Sequence, residues 1–137
     1  DPMMAAAEVE GGAKLFFRKP EANTWGILNV REEFAQKYPE VVKRVLAVYE
    51  EARKWSVANP AEVKKTFIAF TKLPDAVVER QLSTRTELTH SVIGKPQAES
   101  ITAAGLALQD AGVVAKDVDV KKTVSELIDP SYLAATQ

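Results

Sequence analysis

Cysteine is absent from this chain, histidine occurs once, and no run of about 18 apolar residues is present. The first absence removes disulfides, thiolate metal sites and cysteine nucleophiles, and leaves the redox compartment open. The second removes any multi-histidine metal site, so the lone His90 reads as a surface or loop residue. The third removes a membrane-crossing segment. An excess of one charge is also missing: 18 Lys and Arg stand against 19 Asp and Glu, a formal net charge of -1. Binding to a phosphate backbone needs a basic excess or stripe, so nucleic acid is not an expected partner. No glycine-rich phosphate loop follows a strand, because Gly11-Gly12 precedes its apolar stretch.

What is present suits a soluble domain of 137 residues, 46% hydrophobic and 27% charged. The chain opens on Asp1-Pro2 without a signal-peptide pattern, which reads as a processed chain or as part of a longer one. Asp1 and Pro2 suit a helix start, "MMAAAEVE" continues it, and Gly11-Gly12 ends it. "AKLFFR" (13–18) and "TWGILNV" (24–30) are rich in β-formers and read as two short strands. Two strands seldom form a stable sheet by themselves, so they are expected to belong to a wider one.

Beyond Val30 the pattern turns helical. Residues 31–37 form a short amphipathic piece anchored by Phe34, and Tyr38-Pro39 interrupts it. Proline biases the residue before it away from the helical region, then suits the first position of a new helix. That helix carries Val41, Val42, Val45, Leu46, Tyr49, Ala52 and Trp55 as a stripe for the core, with Glu50 and Glu51 on the solvated face. Asn59-Pro60 and Leu73-Pro74-Asp75 start two further helices, Asn59 as a side-chain cap with Glu62 completing a capping box. A polar irregular stretch, 83–96, precedes a long helix over 97–111 that Gly112 stops. Short helical turns around 124–127 and 131–135 finish the chain.

Chemistry-bearing residues are few. No catalytic constellation and no metal-ligand spacing stands out, and no cofactor is expected. Trp25, after a connector and at the start of a strand, is either a core aromatic or a platform for a ligand. The stretch Arg85-Thr86-Glu87-Leu88-Thr89 gathers a guanidinium, a carboxylate and hydroxyls between helices. Arg85 either forks two hydrogen bonds to a sulfonate or carboxylate, or is with Glu87 an ordinary surface charge.

Three stretches carry a resemblance to a known family: "DPMMAAAEVEGGAKLFFR", "ILNVREEFAQKYPEVVKRVLAVYEEARKWSVANPAEV" and "AGLALQDAGVVAKDVDVKKTV". Together they resemble the C-terminal portion of periplasmic substrate-binding proteins of ABC importers, in the nitrate, sulfonate and taurine branch. The middle stretch is the most specific, as a mark of scaffold and not of ligand. The resemblance implies an α/β fold, a type II periplasmic binding protein-like fragment, helix-rich with two or few strands. It implies residues 1–23 as the remnant of one lobe and 24–137 as a crossing strand and helices completing the other. The implied function is to hold a small anion in an interlobe cleft and hand it to a membrane permease, outside the membrane and without catalysis. The implied partners are that anion, the permease and an N-terminal part of the same protein. Thr24 and Trp25 would then lie near the cleft, and Arg85, Thr86 and Glu87 near its rim. Two alternatives stay open. Pyrimidine synthases of thiamine biosynthesis share that fold but are associated with histidines and a cysteine-rich motif, of which this sequence offers one histidine and no cysteine. A freestanding helical interaction domain is the other.

Overall fold

The computed structural model describes residues 2–20, 25–89 and 91–133. Among them the regular structure is seven helices: α1 (Met3–Val9), α2 (Glu32–Lys37), α3 (Pro39–Ala58), α4 (Pro60–Thr71), α5 (Asp75–Arg85), α6 (Lys95–Asp110) and α7 (Val120–Leu127). None of the described residues is in a strand. The chain divides into two compact units, each discontinuous. One holds residues 1–18 and 48–91, the other 19–47 and 92–137, and α3 runs through both.

Proline makes the same joint twice. Tyr38 before Pro39 sits at φ -132°, ψ 54°, and Asn59 before Pro60 at φ -129°, ψ 56°. Both lie outside the helical region that the proline ring disfavours for its predecessor. Each joint residue closes one helix and opens the next. Tyr38 N–H donates to Phe34 O at 2.8 Å, while Tyr38 O accepts from Val41 and Val42 N–H. Asn59 N–H donates to Trp55 O at 2.9 Å, and Asn59 O accepts from Glu62 and Val63 N–H. The expected side-chain cap at Asn59 is absent. Its Nδ2 turns back to Trp55 O at 2.9 Å, satisfying a carbonyl at the end of α3 instead of an N–H of α4.

In the first unit α5 packs against α1 and α4. Val77 and Val78 of α5 are fully buried, and Ala5 of α1 is buried as well. Lys64 of α4 reaches both Asp75 and Glu79 of α5, at 2.8 Å each. In the second unit α6 packs against α7. The approach is close enough that a Cβ at Gly105 would stand 2.7 Å from Val120 Cγ1, so only glycine fits there without a shift. Gly112, at φ 77°, turns the chain out of α6 as the sequence suggests. Asp119 caps α7, its carboxylate accepting from Lys122 N–H at 3.0 Å.

Among the described residues the expected α/β arrangement is not present. Residues 13–18 and 25–30 have no ladder, and Thr24, with which the second strand was to begin, lies outside the described residues, as do Asp1 and His90. The physical reason is that β-formers gain stability only against a neighbouring strand, and neither segment has one. The first is fastened instead by Ala13 N–H to Ala7 O (3.0 Å) and by Arg18 Nη1 to Thr84 O (3.1 Å).

The core differs from expectation too. Among the described residues no buried apolar side chain is larger than valine. Trp55, Tyr49 and Val45, expected inside, are exposed, and Glu50, expected in solvent, is buried. Hydrophobic spacing identifies a face of a helix but not what covers it.

Candidate functional site

Two places gather the residues that the sequence singles out, one in each unit. In the first unit α5 ends at Arg85 and the chain continues irregularly through Thr86 and Glu87. Arg85 does not reach outward. Its guanidinium Nη2 donates to Glu8 Oε2 of α1, with side-chain exposures of 4% for the arginine and 12% for the glutamate. A buried guanidinium held by a carboxylate 77 residues away is charge-compensated inside the protein. Thr86 Oγ1 donates to Gln81 O at 3.1 Å, and Glu87 Oε1 accepts from both the N–H and the hydroxyl of Thr89. These residues adjoin at the end of α5, and their polar groups are engaged within the protein.

The chain beyond α5 is clasped to α3 by Arg53 together with Glu50, a residue expected on the solvated face. Glu50 is 6% exposed. Its two oxygens accept from the Arg53 fork, Oε2 from Nε at 2.8 Å and Oε1 from Nη2 at 2.6 Å. Arg53 Nη1 then donates to Leu88 O at 2.6 Å. The Arg53 hydrogen bonds, helped by the Ser91 hydroxyl and the Lys54 charge, hold the Glu50 carboxyl down at about 2, against the opposing effect of burial. The i, i+3 spacing of Glu50 and Arg53 was visible in the sequence. That residues 88–91 would cover this side of α3 was not.

In the second unit Trp25 stands at the wall of a cavity of about 300 Å³. Ile27 joins it from the same irregular segment. Ile101, Gly105 and Leu108 of α6 and Val120 of α7 close the other sides. The lining is almost wholly apolar. Ser100 and Thr123 supply its hydroxyls, and Thr123 Oγ1 is already donating to Asp119 O at 2.8 Å. Trp25 is 38% exposed, so its ring is partly open to solvent and partly in the wall. Gly105 is what lets α7 approach α6 at this point, and Asp119 fixes where α7 begins. The volume is at the lower end for small-molecule sites, and such a lining selects for apolar groups.

Of the residues singled out from the sequence, the structure thus brings Trp25 to a cavity and keeps Arg85, Thr86 and Glu87 together at the C-terminal end of α5 in the other unit. Thr24 falls outside the described residues. The sequence shows α6 as a long helix and the α7 region only as a short helical turn, and nothing in their spacing says that Trp25 comes to them. Among the described residues no group of acidic or histidine side chains is placed to hold a metal ion, and no helix is long and apolar enough to cross a membrane. No family model, curated protein or solved structure matches the chain.

Proposed function

We propose that this chain serves the solute-binding component of an ABC import system, on the outer side of the membrane. It takes a small organic anion and presents it to a membrane permease. One observation carries the reading: Trp25, the aromatic whose sequence position suggested a ligand platform, forms part of the wall of an apolar cavity. The twin proline joints support it, since they lie within the stretch 27–63 on which the resemblance mainly rests. The reading stands on that cavity and those joints, and not on the sheet that the resemblance implied.

The lining narrows the ligand class. An inorganic anion such as nitrate has nothing to offer apolar walls, and leaving water for them costs it several kcal/mol or more. An anion with an apolar body, such as an alkanesulfonate or an aromatic carboxylate, buries that body against Trp25, Ile101 and Leu108 and keeps its charge at the solvent side. A freestanding helical interaction domain is the second reading, and the exposure of the Phe70 ring on α4 favours it.

Titration calorimetry with alkanesulfonates, taurine, nitrate and aromatic carboxylates tests the proposal on this chain. Saturable heat is expected from the anions with apolar bodies and not from nitrate, and Trp25→Ala should remove it. Silence across the panel would overturn the assignment.

A further inference from the structure

Residues 13–18, beyond α1 in the first unit, bare their largest apolar side chains to solvent. Phe16 is 98% exposed, Phe17 72% and Leu15 47%. Single exposed apolar residues are ordinary on any protein surface. Two adjacent phenylalanines, the first with almost nothing packed on it, form a cluster of the kind that marks a surface meeting something else. The segment is not a frayed end. Ala13 N–H donates to Ala7 O of α1 at 3.0 Å, and Arg18 Nη1 donates to Thr84 O of α5 at 3.1 Å. The rings therefore stand between two points that are both held to helices.

Two features select the surface of an anionic lipid bilayer as what they meet. The first is charge. Lys14 and Arg18 bracket the apolar residues, Lys19 follows in sequence, and no acidic residue occurs from Gly11 to Pro20. Lys14 and Arg18 are exposed, and the carbonyl that holds Arg18 is neutral, so it leaves the positive charge uncompensated. Cations set beside aromatic and aliphatic side chains match the layered polarity of a membrane face, with phosphates outside and acyl chains beneath. The whole chain, at a net charge of -1, carries no such attraction, so it is local to this run. The second feature is shape. A ring that is 98% exposed projects from the surface. A bilayer accepts a projecting ring without a matching contour, whereas a protein partner has to supply a fitted, desolvated pocket for it.

We infer that residues 14–18 are a membrane-surface anchor: Phe16 and Phe17 enter the headgroup boundary of an anionic bilayer while Lys14 and Arg18 engage its phosphates. Each cation near such a surface strengthens partition by about fivefold, and each ring by roughly tenfold. The attachment is therefore reversible and weakened by salt, as a single anchoring signal is. The inference is independent of the ligand assignment, which concerns the other unit.

Flotation with vesicles of phosphatidylcholine mixed with phosphatidylglycerol, set against phosphatidylcholine alone, tests the inference on this chain. The unaltered protein is expected to float with the anionic vesicles at low salt, to bind the neutral ones far less, and to be released as sodium chloride is added. Phe16→Ser with Phe17→Ser should lower partition by roughly a hundredfold, and Lys14→Gln by about fivefold. Both should keep the helical circular dichroism spectrum, because none of these side chains is buried. Phe70→Ser removes a ring 87% exposed elsewhere in the same unit and should leave binding unchanged. An unaltered chain that fails to float with the anionic vesicles at low salt would overturn the inference. So would equal binding to both lipid compositions, or a double phenylalanine variant that still floats. An equal loss from Phe70→Ser would reduce the binding to general stickiness. A chain that ignores vesicles but self-associates until Phe16 and Phe17 are replaced would assign the segment to a second copy instead.

Discussion

Replacing Arg85 by alanine separates two roles that the sequence left open for it. If the guanidinium belongs to the Glu8 pair, its loss leaves a carboxylate that is 12% exposed without its partner. Breaking a buried pair from one side costs about 3–5 kcal/mol, because the remaining charge stays out of water uncompensated. A loss of about 3 kcal/mol lowers the melting temperature by roughly 12–24 °C in a domain of 60–100 residues. The pair also ties α1 to the end of α5, so the loss should appear in protection of α1 amides as well as in overall stability. The assay is urea unfolding of the parent, Arg85→Ala, Glu8→Gln and the double variant. The cycle should show coupling of about 2–3 kcal/mol. Arg85→Met with Glu8→Leu should recover most of the stability, since two apolar side chains leave no buried charge behind. If Arg85→Ala costs less than about 1 kcal/mol, the value of an exposed ion pair, the reasoning fails. It fails more pointedly if the variant stays stable and loses anion binding, because the fork would then belong to the ligand.

Three other outcomes follow from local geometry. The Glu50 carboxyl, held at about 2 in the folded chain against an ordinary 4.5, binds its proton more weakly there than in the unfolded chain. Its contribution to stability is therefore present above pH 4.5 and is lost as the pH falls toward 2. Glu50→Gln should flatten the stability profile across that window, and carboxyl NMR on the parent should find no Glu50 titration above pH 4. Gly105→Ala gains about 1 kcal/mol of helix propensity but drives a methyl to 2.7 Å from Val120, where overpacking costs about 1–3 kcal/mol. Its unfolding midpoint should be unchanged or lower, and adding Val120→Ala should relieve the strain of the Gly105→Ala contact. Lys72 ends α4 in the left-handed region at φ 60°, so Lys72→Gly should raise stability by about 0.5–1 kcal/mol in denaturant unfolding.

How much of this was legible in the residues depends on whether the deciding interaction is local. The joint at Tyr38-Pro39, the starts at Pro60 and Asp75 and the stop at Gly112 are set within a few residues by missing N–H groups and restricted dihedrals, and they stand where the sequence puts them. Asn59 is instructive because the signal was right and the partner wrong. Its amide found the carbonyl of Trp55 behind it and not an N–H ahead. The helix expected over 97–111 begins two residues earlier, at Lys95, with Gln97 Oε1 accepting from Gly94 N–H at 2.9 Å. The two expected strands failed for the opposite reason. Phe16, Phe17, Ile27 and Leu28 favour an extended chain only beside another strand, which is a property of the neighbour and not of the segment. The burial of Glu50, the enclosure of Arg85 and the approach of Trp25 to α6 and α7 all join residues far apart in sequence. No spacing within one helix announces them.

The most direct test of the ligand assignment reads Trp25 itself. The chain has two tryptophans, so Trp55→Phe leaves Trp25 as the sole indole reporter. Titration of that protein with a long-chain alkanesulfonate should shift the Trp25 emission to shorter wavelength along a saturable curve, with taurine and nitrate giving no shift. An emission spectrum that stays put at every alkanesulfonate concentration would contradict the assignment of this cavity to an anion with an apolar body.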